Sequence, residues 1–299
     1  MSSRKTLRLL ALGLIPAGLA AQHTFTPMDW RPVEQALGRA GTVMAGDVYR
    51  VGFPRGDLHV TVGAVAVKPA FALGSWVAFT QTGDSTAMVM GDLVLIEREV
   101  EPVIGKLQEG GIEQTALHNH LLHEAPHVLY MHISGRGAPA KLAAAVRAAL
   151  ALTGTPLTSS SPASPAPPLG LDTAQIAGIL GAHGRANGGV YQVGVARAER
   201  ITVDSIELPP AMGVGTAINF QPTPGGTAAI TGDFVLLGSE VNPVIQALRA
   251  NGIAVTALHS HMLGETPRLF FMHFWGNADP LALARGLRAA LDRMNVKHT

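Results

Sequence analysis

Residues 115–135 read TALHNHLLHEAPHVLYMHISG, and residues 256–276 read TALHSHMLGETPRLFFMHFWG. The two stretches align without gaps over 21 positions, of which 11 are identical. The same offset of 141 residues brings GDLVLIEREVEPVI (91–104) onto GDFVLLGSEVNPVI (232–245). Similarity over this length at a constant offset indicates an internal duplication.

A third pair of matching segments, GDVYRVGFPRGD and GGVYQVGVARAE, extends the duplication toward the start of each copy with a slip of one residue. We therefore predict two homologous domains at residues 28–150 and 171–299. The segment 151–170 between them is rich in Pro and Ser. Such a segment buries too little apolar surface to fold alone, so it predicts an extended, semi-rigid linker; an ordered crossover on the surface is the alternative.

The overall composition excludes several classes of protein. The chain has 299 residues, of which 47% are hydrophobic and 14% charged, and its net charge is +1. That material is ample for two buried cores, and the absence of clustered Lys and Arg argues against nucleic-acid binding. Because the chain has no cysteine, disulfides, thiolate metal sites and a cysteine nucleophile are excluded.

The first 21 residues, MSSRKTLRLLALGLIPAGLAA, have the pattern of a secretory signal peptide. A basic start precedes a short apolar run, which ends in small residues suited to cleavage. The run is too short for a membrane span, and no second long apolar run follows. We therefore expect a periplasmic or secreted protein without a transmembrane segment in the mature chain.

The spacing of apolar residues predicts an α+β fold. From GDLVL onward each copy is predicted to run β-α-β-β-α, the core of a ferredoxin-like arrangement, with extra strands before it and a mixed or antiparallel sheet. HVTVGAVAV (59–67) is one of those extra strand-like runs. EVEPVIGKLQEGG (99–111) and EVNPVIQALRANG (240–252) predict helices with Pro in the first turn and Gly at the end.

Strand alternation predicts that the histidines share one face of each sheet. In the second strand of the pair, Leu129, Met131 and Ile133 form an apolar face for the helices, while Tyr130 and His132 point away. A short turn containing Glu124 (Glu265 in the second copy) predicts an antiparallel hairpin. The histidines expected on the face away from the helices are His118, His120 and His132 in the first copy and His259, His261 and His273 in the second.

Three imidazoles presented by two neighbouring strands are typical ligands of Zn²⁺, although Cu, Fe and Ni also bind imidazole. Glu124 and Glu265 are candidate fourth ligands or catalytic general bases, because three protein ligands leave a position for water. Asp92 and Asp233 are candidates for holding a histidine's second ring nitrogen, and Tyr130 is a candidate ligand-binding residue. A metal-free ligand groove and a purely structural polar layer remain alternatives, as do one shared site or two separate sites.

The duplicated GD-(F/L)-V-L, E-V-x-P-V-I and T-A-L-H-x-H…M-H motifs resemble those of the LppY/LpqO family of bacterial envelope proteins, a family of unknown function. The resemblance covers essentially all of the mature chain. It implies an envelope location, but the family's namesakes are lipoproteins and this chain has no cysteine for a lipid anchor. The resemblance brings no catalytic residues with it.

Three functional hypotheses follow from the residues. The first is an extracytoplasmic protein that binds a divalent metal or a small polar ligand through the histidine-bearing hairpins. The second is a metal-assisted hydrolase acting on envelope material, with Glu124 or Glu265 as base. The third is a metal-free carbohydrate- or peptidoglycan-binding module, for which Trp30, Trp76 and Trp275 are candidate stacking residues. The expected partner is a small molecule or a cell-envelope component, and the sequence leaves the oligomeric state open.

Overall fold

The computed structural model describes residues 25–158 and 168–297. The predicted signal peptide, residues 1–21, lies outside this part of the chain. Each repeat forms a six-stranded sheet with helices packed on one face. The prediction of an α+β protein with two homologous domains is therefore confirmed.

The first repeat contains four helices and nine strands. The helices are α1 (Arg31–Leu37), α2 (Pro69–Ala72), α3 (Glu97–Glu109) and α4 (Pro139–Leu150). The strands are β1 (Thr42–Met44), β2 (Val48–Pro54), β3 (Thr61–Val62), β4 (Val65–Ala66), β5 (Gly74–Gln81), β6 (Ala87–Leu95), β7 (Glu113–His118), β8 (Glu124–Ala125) and β9 (Leu129–Gly137). The main sheet has the order β1-β2-β5-β6-β9-β7, and a small sheet has the order β4-β3-β8.

The second repeat has the same plan. Its helices are α5 (Thr173–Leu180), α6 (Gly238–Ala250) and α7 (Pro280–Leu291), and a 3-10 turn, Pro210–Met212, takes the place of α2. The strands are β10 (Gly184–Asn187), β11 (Val190–Val195), β12 (Thr202–Val203), β13 (Ile206–Glu207), β14 (Thr216–Thr223), β15 (Thr227–Leu237), β16 (Ala254–His259), β17 (Glu265–Thr266) and β18 (Leu269–Ala278). The sheets have the orders β10-β11-β14-β15-β18-β16 and β13-β12-β17.

The ferredoxin-like core is present in both repeats. β6, α3, β7, β9 and α4 occur in this order along the chain, with the short β8 between β7 and β9. In the sheet β9 lies between β6 and β7, with antiparallel pairing on both sides. Met131 and Ile133 point into the apolar layer beneath the helices. Because side chains alternate along a strand, His132 and Tyr130 point to the opposite face, as the sequence predicts.

The prediction that α3 begins with Pro102 in its first turn is wrong. The helix begins at Glu97, so Pro102 lies in its second turn. The start is set by Glu99, whose carboxylate accepts the Ile96 N–H at 3.0 Å and pairs with the fully buried Arg55 at 2.8 Å. This capping interaction satisfies an N-terminal donor of the helix and outweighs the proline signal. Glu240 and Arg197 do the same for α6, so Pro243 is also interior.

Two further local predictions need correction. The run 59–67 forms two short strands, because the chain turns at Gly63 with a φ of +57°. The connection from β7 to β9 is longer than a hairpin turn: β7 ends at His118, and β8 follows and pairs with β3. His120 therefore lies beyond the end of its strand, although β7 and β9 are antiparallel as predicted.

The start of the predicted linker 151–170 packs against the first repeat. The N–H of Gly154 donates to Glu99 at 3.0 Å, Arg39 donates to the carbonyl of Thr158 at 3.0 Å, and Leu157 contacts the core beneath the helices. Residues 159–167 lie outside the described part of the chain.

Each repeat covers the second face of the other repeat's sheet. Phe71 of α2 packs against Trp275 of β18, with ring centroids 6.0 Å apart, in a cluster that also includes Val190 and Ala229. Reciprocally, Met212 packs against residues of the first sheet such as Met90. Because these apolar clusters contain residues of both repeats, the two repeats form one interlocked unit.

Polar contacts accompany the exchange of segments. Gln192 donates to the carbonyl of Ala70 at 2.8 Å, and Arg50 donates to the carbonyl of Ala211 at 2.6 Å. These bonds satisfy backbone groups that the crossing would otherwise bury. Among the described residues, no helix is long and apolar enough to cross a membrane.

Replacing Phe71 with Ala tests the interlock. We expect the free energy of unfolding to fall by about 3–5 kcal/mol, because the substitution opens a cavity between the repeats. We also expect one unfolding transition in urea, monitored by circular dichroism, rather than one for each repeat. Leu152→Ala, at a side chain that is 45% exposed, is the control and should change stability by no more than about 0.5 kcal/mol. Two separate transitions in the parent protein would contradict the interlocked arrangement.

Candidate metal centre

All six predicted histidines meet at one place, where the edge strands β7 and β16 lie beside each other. Two threonines hold this junction across the repeats. The hydroxyl of Thr115 donates to the carbonyl of His261, and the hydroxyl of Thr256 donates to the carbonyl of His120, both at 2.5 Å. These bonds hold the loops that carry His120 and His261 beyond the ends of their strands.

The six rings are related by an approximate two-fold axis that passes between His118 and His259. Those two rings are stacked with centroids 3.5 Å apart. The distance from His120 to His273 is 3.8 Å, and its counterpart from His261 to His132 is 3.6 Å. The distances from His118 to His120 and from His259 to His261 are 5.1 and 5.0 Å. The duplication has thus produced one symmetric centre from two half-sites.

The centre contains many buried polar atoms that have no hydrogen-bond partner. They comprise the Nε2 atoms of His118, His120, His132, His259, His261 and His273, the Nδ1 atom of His259, and the Oδ1 atoms of Asp92 and Asp233. Buried polar groups are nearly always paired, and each one left unpaired costs about 1–3 kcal/mol. Such a concentration of unpaired lone pairs is the arrangement that a metal ion would satisfy.

The two aspartates lie next to the histidines on the central strands. Asp92 pairs in register with His132 of β9, and its Oδ2 atom is 3.6 Å from Nε2 of His120. Asp233 is related by the same symmetry and is 3.2 Å from Nε2 of His261. Burial, followed by the charge of Asp233, raises the pKa of Asp92 to about 8, and burial raises the pKa of Asp233 to about 6. Two carboxylates so placed need a nearby cation to be charged together.

Burial keeps the imidazoles neutral. It lowers the pKa of His118 and of His261 to about 3, and that of His273 to about 4. The pKa values of His120, His132 and His259 are also lowered, chiefly by burial. Neutral imidazole is the form that binds a metal, since its unprotonated nitrogen carries the lone pair. At neutral pH all six side chains are therefore competent ligands.

Other ring nitrogens bond to backbone carbonyls. Nδ1 of His273 lies 2.7 Å from the carbonyl oxygen of Gly232, and Nδ1 of His118 lies 3.1 Å from that of Asn119. A proton on Nδ1 that donates to a carbonyl leaves Nε2 as the free donor atom and orients the ring. In His273 and His118 the backbone therefore orients the ring, and the orienting role of Asp92 and Asp233 stays a prediction.

Aromatic side chains stack on two of the histidines. Tyr130 lies over His120 with centroids 3.3 Å apart, and Phe271 lies over His261 at 3.4 Å. The hydroxyl of Tyr130 donates to the carbonyl of Ala72 at 3.0 Å. Tyr130 therefore lies in the centre as predicted, but its ring contacts a histidine and its hydroxyl anchors α2. Phe271 and the two threonines are not among the residues predicted for the site, although their matching positions in the duplicated motif were a signal.

The two glutamates lie outside the group of histidines. Glu124 accepts the N–H of Val128 at 3.1 Å, and Glu265 accepts the N–H of Leu269 at 2.8 Å, so both hold the start of the following strand. Burial raises the pKa of Glu124 to about 7, and its Oε2 atom has no partner. Arg268 lies 3.2 Å from Glu265. The role of both glutamates as general bases stays a prediction.

The histidine nitrogens fall into two groups suited to a metal ion. In each group one nitrogen per residue lies within 4.8 Å of all the others. The groups are His118, His120 and His273, and His118, His132, His259 and His261. Each group contains residues of both repeats, so neither repeat has a complete group by itself.

The family model of a Domain of Unknown Function (DUF1259) matches residues 31–152 and again residues 174–293. The chain belongs to this family. Each match covers one repeat, so the chain carries two DUF1259 domains, and their histidine motifs form the centre together. The comparison with curated proteins gives no match.

Some solved structures are similar to this DUF1259 protein at low identity. A trimeric bacterial microcompartment shell protein, PduB, is 16% identical, covers 87% of this chain and 95% of its own, and has a TM-score of 0.22. The double-ringed trimeric shell protein MSM0271 from the RMM microcompartment is 13% identical, with 71% and 85% covered and a TM-score of 0.21. The ethanolamine utilization protein EutL from Leptotrichia buccalis is 8% identical, with 70% and 79% covered and a TM-score of 0.18. Scores this low carry no argument about this chain.

The substitution Asp92→Asn should have opposite effects with and without metal. Without metal we expect it to stabilise the protein by about 1–3 kcal/mol, because it removes a buried acid that faces Asp233. With zinc present we expect a smaller gain in stability than the parent shows, since a negative charge near the ion is lost. Urea denaturation in chelator and in zinc measures both quantities, and Asp233→Asn should behave alike. Loss of stability in chelator would contradict the assigned repulsion.

Proposed function

We propose that this protein binds a divalent transition metal between its two DUF1259 repeats, outside the cytoplasm. The observation that carries the proposal is the set of six buried Nε2 atoms without a hydrogen-bond partner. Two of them have a carboxylate oxygen nearby, at 3.6 Å for His120 and 3.2 Å for His261, but neither contact forms a hydrogen bond. A structural polar layer would pair its histidines with donors and acceptors, because unpaired buried groups are destabilising. The metal supplies the missing partners.

The donor atoms favour particular ions. Imidazole nitrogen with carboxylate oxygen and no thiolate suits Zn²⁺, Cu²⁺, Ni²⁺ and Fe²⁺, whereas Mg²⁺ and Ca²⁺ prefer all-oxygen sites. Zn²⁺ is the ion that we expect first, because three imidazoles and a fourth ligand match its preferred coordination. A zinc ion bound there would supply a Lewis acid that lowers the pKa of bound water to about 7.

Binding is favoured over the alternative functions by contacts at the candidate residues. Glu124 and Glu265 each accept a backbone N–H, and neither belongs to a group of nitrogens suited to a metal ion. The tryptophans proposed for sugar stacking have internal partners: Trp30 stacks on Tyr49, Trp76 on Arg50, and Trp275 packs against Phe71. These contacts favour metal binding over hydrolysis or carbohydrate binding.

The extracytoplasmic location rests on residues 1–21, which have the charge and apolar pattern of a secretory signal peptide. The resemblance of the duplicated motifs to the LppY/LpqO envelope proteins supports the same location. Without a cysteine in the chain, a free periplasmic or secreted protein is expected rather than a lipid-anchored one.

Metal analysis of the purified protein tests the proposal. We expect zinc to remain bound after gel filtration and to stabilise the protein, by about 2.7 kcal/mol when free zinc is one hundred times its Kd. The double variant His120→Ala, His261→Ala should lose both effects, because it removes a ligand from each half of the centre. Elemental analysis and thermal unfolding with and without chelator measure them.

The matched control is the double variant His123→Asn, His183→Ala, which removes two exposed histidines that belong to neither group of metal-binding nitrogens. It should bind zinc as the parent does. Absence of zinc, copper, nickel and iron binding in the parent would refute the proposal and leave a metal-free polar layer.

A further inference from the structure

The two groups of histidine nitrogens overlap in one residue only. His118 belongs to both, and its Nδ1 atom is already 3.1 Å from a carbonyl oxygen, so it has one nitrogen to offer. Applying the approximate two-fold symmetry to the first group gives a second set that does not contain His118. The symmetry exchanges His118 with His259, His120 with His261, and His132 with His273. The first group, His118, His120 and His273, is thereby converted into His259, His261 and His132.

This second set is the other group without His118, so the six histidines divide into two equal triads with no residue shared. The first triad is His118, His120 and His273, and the second triad is His259, His261 and His132. Each triad takes two histidines from one repeat and one from the other. The paired ring distances of 3.8 and 3.6 Å, and of 5.1 and 5.0 Å, show how closely the triads match.

We infer that the centre holds two metal ions, one in each triad. The inference rests on the proposed metal-binding function and adds the number of metal ions and the histidines that bind each one. Each ion is bound by histidines of both repeats, so the second ion requires the same interlocked fold as the first.

Bond lengths argue against one ion shared by all six histidines. A zinc–imidazole bond is about 2.0–2.1 Å, so two nitrogens on one ion are at most about 4.2 Å apart. The six residues form two groups at a limit of 4.8 Å, not one. A single ion would bind at most one group and leave histidines of the other buried without a partner.

The positions of the two buried carboxylates also fit two ions. Asp92 lies beside His120 of the first triad, and Asp233 lies beside His261 of the second, at 3.6 and 3.2 Å. Each divalent ion would therefore have one carboxylate near it, and the repulsion between the two buried carboxylates would be offset.

Counting the ions in parent and variant proteins tests this inference. After zinc loading and gel filtration, we expect two zinc ions per chain in the parent and one each in His273→Ala and His132→Ala. The double variant His132→Ala, His273→Ala should bind none. His123→Asn is the control and should retain two. If His273→Ala fails to fold, His120→Ala removes a ligand of the same triad from a loop and should also leave one ion.

Electron paramagnetic resonance of the Cu²⁺-loaded parent gives a second test that needs no variant. Because rings of the two triads lie as little as 3.5 Å apart, we expect a spin-coupled pair with a half-field signal. One ion per chain, or two ions whose number is unchanged in His273→Ala, or two uncoupled copper ions, would overturn the inference. No bound metal at all would instead refute the proposed function itself.

Discussion

In neither repeat is the second face of the sheet covered entirely by residues of that repeat. The helices of each repeat cover one face, and the other is covered by a segment of the opposite repeat: α2 on the second sheet and the turn at Pro210–Met212 on the first. Exposing such apolar faces would cost about 25 cal/mol for each Å² returned to water. The reciprocal cover therefore requires both repeats to fold together, and it places the two histidine-bearing edges against each other.

The polar centre carries a large desolvation cost, because it buries ionisable groups. Six imidazoles and two carboxylates are buried there, and the rings of Tyr130 and Phe271 stack on two of the histidines. Burial keeps the histidines neutral, which preserves their lone pairs. Burial also raises the pKa of both aspartates, which favours their protonated form. A cation reverses this balance, because it pairs with the nitrogens and with the carboxylates at once. The fold and the proposed metal thus stabilise each other through the same atoms.

The repeats have kept the same candidate ligands in the centre and have diverged in residues that support them. Every histidine, aspartate and threonine that shapes the centre has a counterpart, whereas Tyr130 corresponds to Phe271 and His127 to Arg268. The tyrosine hydroxyl anchors α2, which the second repeat replaces by a 3-10 turn. Arg268 pairs with Glu265, while Glu124 keeps one buried oxygen without a partner. The two repeats therefore differ in the residues that position the ligands, while the arrangement of the histidines stays approximately symmetric.

The sequence by itself determined the duplication, the βαββα core and the face on which His132 and His273 point, because strand alternation and helix periodicity are local properties. It also contained all six histidines of the centre. Local pattern misplaced the start of α3, since the buried pair of Arg55 and Glu99 joins residues far apart in sequence. Only the tertiary structure decided that the two half-sites form one centre and that the glutamates lie apart from it. That outcome depends on which sheet faces meet. The contacts of α2 with the second sheet and of the turn Pro210–Met212 with the first determine it, and these contacts join residues far apart in sequence.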